Sequence, residues 1–117
     1  MMTTRQKGNY YELKSKALLE KQGFSVERAL AKVIWIGKRP ISMHHDFFGL
    51  FDLIAINSTG FRLVQVKYQD KETHGWLAET RKGIAEFPSP SDTKELHIWK
   101  QKSIGKRKIA ELSIEVF

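Results

Sequence analysis

The sequence contains no cysteine, which excludes a disulfide framework and any thiolate metal site and fits a reducing compartment. It has no run apolar enough to cross a membrane, and its polar Met1 end lacks the hydrophobic segment of a secretory signal. A soluble, cytoplasmic protein with no membrane partner is expected. Acids are scarce too: 13 Asp and Glu against 20 Lys and Arg give a formal net charge of +7, with a pI near 9.7. Such an excess points to a polyanionic partner, because Lys and Arg that neutralise phosphates gain from counterion release. The 117 residues are enough for one domain with a real core, 1–117, but not for two.

The cations cluster. Arg5 with Lys7, Lys38 with Arg39, and the run Lys100, Lys102, Lys106, Arg107, Lys108 fall at a helix start and in two expected loops, where exposed side chains reach phosphate oxygens. Arg5, Lys7, Lys38, Arg39, Lys102, Lys106 and Arg107 are therefore candidate contacts to the phosphates of a polyanionic partner.

Thr3-x-x-Gln6 resembles a capping box, and the residues from about Thr4 to Gln22 are helix formers followed by Gly23 as a stop. At about 100° per residue, Gly8, Tyr11, Ser15, Leu18 and Leu19 form a core-facing stripe, with a second apolar edge at Tyr10, Leu13 and Ala17. Glu12 lies at the margin of the stripe, where small neighbours leave it a path to a site under the helix; the plain alternative is a solvated pair with Lys16.

Strands are expected at Phe24 to Leu30 and Lys32 to Ile36, then a long loop from Gly37 to Gly49 containing Pro40 and His44-His45-Asp46. Adjacent residues in a loop diverge in direction, so this triplet is a weak metal shell, with Asp46 favoured over His44 and His45 because it lies just before Asp52. A short helix is expected from Gly75 to Phe87, with Leu77, Ile84 and Phe87 near one face and Gly83 as a weak point, ended by Pro88-Ser89-Pro90-Ser91. Strands follow at Glu95 to Lys100 and, with strong alternation, at Lys108 to Val116. The order helix, strands, helix, strands, without internal repeats, predicts one α/β domain with a central mixed sheet flanked by helices.

The segment FDLIAINSTGFRLVQVK, Phe51 to Lys67, carries the chemistry. Two apolar strands flank the turn Asn57-Ser58-Thr59-Gly60. If Ile56 pairs with Phe61, Asp52 stands opposite Gln65, and opposed residues have Cβ atoms roughly 4.5 to 5.5 Å apart. Lys67 lies two residues on. Each of the three has an ordinary reading as a surface residue at a strand end. Their coincidence on one face of an otherwise apolar hairpin favours function, because polar groups there cost folding free energy unless paired or used.

These residues resemble a known family. KGNYYELKSKALLEKQGF, then FDLIAI, then VQVK is similar to the PD-(D/E)XK nuclease superfamily, most closely its archaeal and phage-type Holliday junction resolvases, over roughly Arg5 to Lys67. The resemblance implies a restriction-endonuclease-like fold and a metal-dependent endonuclease that hydrolyses branched DNA in recombination or repair. It makes Glu12, Asp52, Gln65 and Lys67 catalytic and Asp52, Gln65 and Glu12 the ligands of Mg²⁺, for which Mn²⁺ would substitute. It also implies that the polyanionic partner of the clustered cations is DNA. Two departures stand: Phe51 precedes Asp52 where the family often has Pro, and Gln65 occupies the place of the second acid. An amide oxygen ligates Mg²⁺ without negative charge, so the ion would be held less tightly.

Symmetric cutting of a four-way junction needs two sites, hence a two-fold homodimer, for which the strand from Lys108 to Phe117 and Phe47, Phe48 and Trp76 are candidate surfaces. Trp76 or Tyr68, if exposed, would instead stack on an unpaired base. The alternatives are a restriction-type or single-strand nuclease of the same superfamily and, because of Gln65, a DNA-binding module without catalysis.

Overall fold

The computed structural model describes residues 4–29, 31–44, 46–69 and 75–117. Thr3 and His45 lie outside the described residues, as do the side chains of Arg5 and His44, so the capping box and both histidines go unjudged. The architecture is the expected one: α1 (Thr4–Lys21), β1 (Ser25–Arg28), β2 (Ala31–Ile36), β3 (Arg39–His44), β4 (Leu53–Asn57), β5 (Gly60–Gln69), α2 (Gly75–Glu86), β6 (Lys94–Ile104) and β7 (Arg107–Val116). Five strands form a mixed sheet in the order β1-β4-β5-β6-β7, and β2 and β3 form a separate two-stranded ribbon. Only β5 and β6 run parallel, because α2 supplies the crossover that a parallel pair requires.

Strand alternation sorts the core into two layers. Leu53, Ala55, Val64, Val66 and Trp99 pack with Tyr11 and Leu19 of α1. Leu63, Leu96 and Ile98 pack with Leu77 and Ile84 of α2. The two helices thus cover opposite faces. Tyr11, Ser15 and Leu19 are buried as the stripe predicts, but the second edge fails: Tyr10 and Leu13 are 43% and 51% exposed. One apolar stripe is all that a helix lying on a sheet can bury. At its end Gly23 takes φ 97°, and the Phe24 N–H donates to the Leu19 carbonyl at 3.1 Å, the closure that only a left-handed residue permits.

Two expected loops are strands. Gly37 to Gly49 is not a long loop: Arg39 to His44 pairs with β2, setting Pro40 opposite Trp35. Proline is tolerated there because a strand in a two-stranded ribbon always has one edge that needs no N–H. Likewise β6 runs on to Ile104 rather than ending near Lys100, since β7 pairs with it all the way to Ile104↔Arg107. No helix among the described residues is long and apolar enough to cross a membrane.

Candidate acid centre at the head of β4

The β4–β5 hairpin forms in the expected register, Ile56↔Phe61 and Leu53↔Val64. Its turn is closed by Asn57, whose Oδ1 accepts from the Thr59 N–H at 2.9 Å and the Gly60 N–H at 3.1 Å. Asp52 lies one step beyond the last pair, next to Gln65 along the strands, but it does not continue the pleat. Phe51 belongs to the α2-side core and Leu53 to the α1-side core, although residues two apart in a regular strand share a face. The chain therefore bends at Asp52. Its carboxylate does not rise from one face as the alternation predicts; Oδ2 accepts the Val66 N–H at 2.8 Å and so takes the place of a ladder carbonyl.

That bend lets groups from both sides of the sheet act on one carboxylate. Asp52 is 7% exposed, and burial first, then the Glu12 and Asp46 charges, push its pKa up to about 7, against the Val66 hydrogen bond and the Lys67 charge. Glu12, on α1, is buried with its Oε2 3.7 Å from Arg28 Nη2. Glu12 is thus buried rather than solvated, and Lys16 bonds Glu20 at 3.3 Å. Asp46 arrives by a tight turn in which Phe47 and Phe51 exchange backbone hydrogen bonds at 2.7 and 2.9 Å. Residues 46 and 52 are the next step outward from that bridge. The turn is bought with a strained residue, Phe48 at φ 56°, in a region that bulky side chains seldom occupy.

Gln65 is buried on β5, beside Leu96 of β6. Lys67 is half-buried, its Nζ 5.3 Å from the centre of the Trp76 ring. Trp76 packs on the α2-side core, and Tyr68 is stacked on Tyr11 at 5.0 Å with Lys7 Nζ 5.3 Å from the centre of its ring. The condition for base stacking fails for both. Among the described residues the exposed aromatics are Tyr10, Trp35 and Phe48, at 43%, 67% and 70%.

No group of three or more His, Cys, Asp or Glu close enough to hold a metal ion occurs among the described residues. The donor set nevertheless fits Mg²⁺ in kind. Mg²⁺ takes hard oxygen donors, commonly one or two carboxylates with water and substrate completing the shell, and a cation would relieve the repulsion that raises the Asp52 pKa. Asp52, Glu12 and the Gln65 amide are the residues that would hold it, with Asp46 nearby. A groove of about 790 Å³ lined by Phe48, Ile56, Phe61 and Phe87 contains none of these residues.

One polar cluster gave no signal in the sequence. Trp99 Nε1 donates to Ser15 Oγ at 2.9 Å, Ser15 Oγ lies 2.9 Å from His97 Nδ1, and His97 Nε2 lies 2.9 Å from Glu95 Oε1. The His97 hydrogen bond, helped by Arg62, holds the Glu95 carboxyl below its usual range despite burial. A serine, a histidine and an acid in line suggest a nucleophile, yet Ser15 and His97 are fully buried and no substrate reaches them. The cluster ties α1 to β6. Ser15 stands more than eighty residues from His97 and Trp99 in sequence, beyond the reach of any local pattern.

The cations divide by setting. Lys38, Arg39, Lys102, Lys106 and Arg107 are exposed on the two hairpins, whereas Lys7 is half-buried beside Tyr68. No family model, curated protein or solved structure matches this chain.

Proposed function

We propose that the chain is a Mg²⁺-dependent endonuclease that hydrolyses the phosphodiester backbone of branched DNA. The observation that carries this reading is the buried Asp52 carboxylate, fixed by the Val66 N–H, crowded by Glu12 and Asp46 and faced by Lys67. Carboxylates held together at a cost in stability, with a cation alongside, are arranged for a ligand rather than for folding. When bound, Mg²⁺ supplies Lewis-acid polarisation of the phosphoryl oxygen and acidifies water. Asp52 and Glu12 provide the anionic ligands, oriented by Val66 and Arg28, and Gln65 provides a neutral oxygen. Lys67, seated against Trp76, offsets negative charge that grows on the phosphate during attack.

A two-fold dimer would present two such centres to a four-way junction. β7 is an edge strand with Ile114 and Val116 about half exposed, which suits it to that contact, whereas Phe47 and Trp76 are taken up in the core. A cytoplasmic setting accords with the cysteine-free composition.

The test is cleavage of four-way, flap and linear DNA side by side with Mg²⁺, using the wild type, Asp52→Ala and Lys67→Ala. Only the wild type is expected to cut, and the junction fastest. Preference for linear or single-stranded DNA would move the protein to a restriction-type or single-strand nuclease; equal cutting by all three proteins would exclude the centre. The second reading, a DNA-binding module without catalysis, is favoured by Gln65 and by the absence of a three-acid group among the described residues. It is selected if none of the three cuts but all bind with steep salt dependence. Gln65→Glu is expected to lower the Mg²⁺ concentration needed for half-maximal cleavage by about tenfold, since a second-site charge joins the ion; an unchanged requirement places that side chain away from it.

A further inference from the structure

The tetrapeptide Ile-Gly-Lys-Arg occurs twice, at residues 36–39 and 104–107, contrary to the expectation of no internal repeat. Both copies form the same object. Ile36 pairs with Arg39 across Gly37-Lys38, and Ile104 pairs with Arg107 across Gly105-Lys106. The glycines take φ 65° and 62°, the left-handed first position of a two-residue hairpin turn. A Cβ built on either glycine meets nothing within 4 Å, so glycine is required by the backbone angle alone and both tips stand clear of the protein. Lys38, Arg39, Lys106 and Arg107 are exposed, and so are Ile36 and Ile104, at 64% and 57%.

The stems continue the pattern. No Asp or Glu occurs between Ala29 and His45 or between Leu96 and Ala110. Beyond Lys100, β6 pairs only with β7 among the described residues, and its residues 100–104 are all exposed. An acid-free two-stranded ribbon tipped by two cations and one apolar side chain is thus built twice on different parts of the chain.

The geometry points to a matched pair of DNA-gripping arms: each ribbon enters a groove of duplex DNA, with the Lys and Arg of its tip on the flanking phosphates and the tip isoleucine against the groove wall. A two-stranded ribbon is of a width that the major groove admits, and apolar tip residues serve as wedges or packing contacts in grooves. The apolar residues exposed near the tips, Trp35 and Ile36 on one and Ile104 and Ile109 on the other, fall short of the whole apolar face that membrane binding requires. The inference rests on the reading that the partner is DNA but not on catalysis at Asp52.

The test is binding of a short duplex in EDTA, where cutting cannot intervene, across a range of salt. Lys38→Gln with Arg39→Gln is expected to reduce the slope of log affinity against log salt by about 1.8, as is Lys106→Gln with Arg107→Gln, and all four together by about 3.6. Ile36→Ser with Ile104→Ser should weaken binding severalfold at every salt concentration with the slope unchanged. Slopes indifferent to the tip substitutions overturn the arms and leave the acid centre standing. Absence of Mg²⁺-dependent cleavage by the wild type, with the slopes reduced by the tip substitutions as expected, removes the nuclease reading and leaves the arms. Binding to phosphatidylserine vesicles without binding to the duplex overturns the proposal.

Discussion

Asp52→Asn is expected to make the cation-free protein more stable at pH 8 while reducing Mg²⁺-dependent cleavage by about 100-fold or more. Asparagine keeps an oxygen for the Val66 N–H, which now meets the Asp52 carboxylate at 2.8 Å, and removes a charge that burial, Glu12 and Asp46 all disfavour. Some attraction to Lys67 is lost, but that side chain is half-exposed and rests on Trp76. The sign of the pH dependence follows from linkage. The folded-state pKa of about 7 lies above the ordinary 3.8, so between these values the native protein holds a proton that the unfolded chain has released. Stability from this group is complete below about pH 4 and is lost as pH rises through 7. The variant should therefore match the wild type near pH 4, gain on it as pH rises, and hold a constant lead above pH 7. Thermal unfolding in EDTA across this range checks it; a variant less stable than the wild type at pH 8 shows that the carboxylate is structural. A residue whose removal helps folding and ends activity is what a functional site predicts.

Lys94→Met should destabilise the fold by about 2–4 kcal/mol. Lys94 is 5% exposed at the start of β6, and its Nζ donates to the carbonyls of Ile84 and Phe87 at 2.7 Å and of Ala85 at 3.3 Å. These are carbonyls of the last turn of α2 and of Phe87 just after it, where the helical ladder runs out of N–H donors, although Ile84 O also accepts the Phe87 N–H at 3.2 Å, and the ammonium also meets the negative end of the helix dipole. Methionine fills the same space without a donor, so the loss reads the hydrogen bonds rather than a cavity. Urea unfolding of the two proteins measures it. A change under about 0.5 kcal/mol shows that water serves those carbonyls equally well.

The extent to which the sequence announced this structure varied with the range of the interaction concerned. α1 and its Gly23 stop, the β4–β5 register and α2 were legible because helix period, turn chemistry and strand alternation are local. β3 was hidden by Pro40, which reads as a breaker except at a strand edge, and the length of β6 by a run of cations that reads as solvated loop. Asp52 was recognised as a candidate, but not the bend that turns its carboxylate toward Val66, because nothing local says that Phe51 and Leu53 take opposite faces. From the helix alone Glu12 read more readily as a solvated residue paired with Lys16 than as part of a site; in the structure it is buried with Arg28, sixteen residues away, beside it. Lys94 and the Ser15–His97–Glu95 cluster left no local trace at all.

Titration of the protein with Mn²⁺ at pH 8, read by calorimetry beside Asp52→Asn, probes the acid centre without any assumption about substrate. Saturable binding to the wild type that weakens at least tenfold in the variant is the expected result. Binding of equal strength to both proteins, or to neither, would contradict a cation held by Asp52.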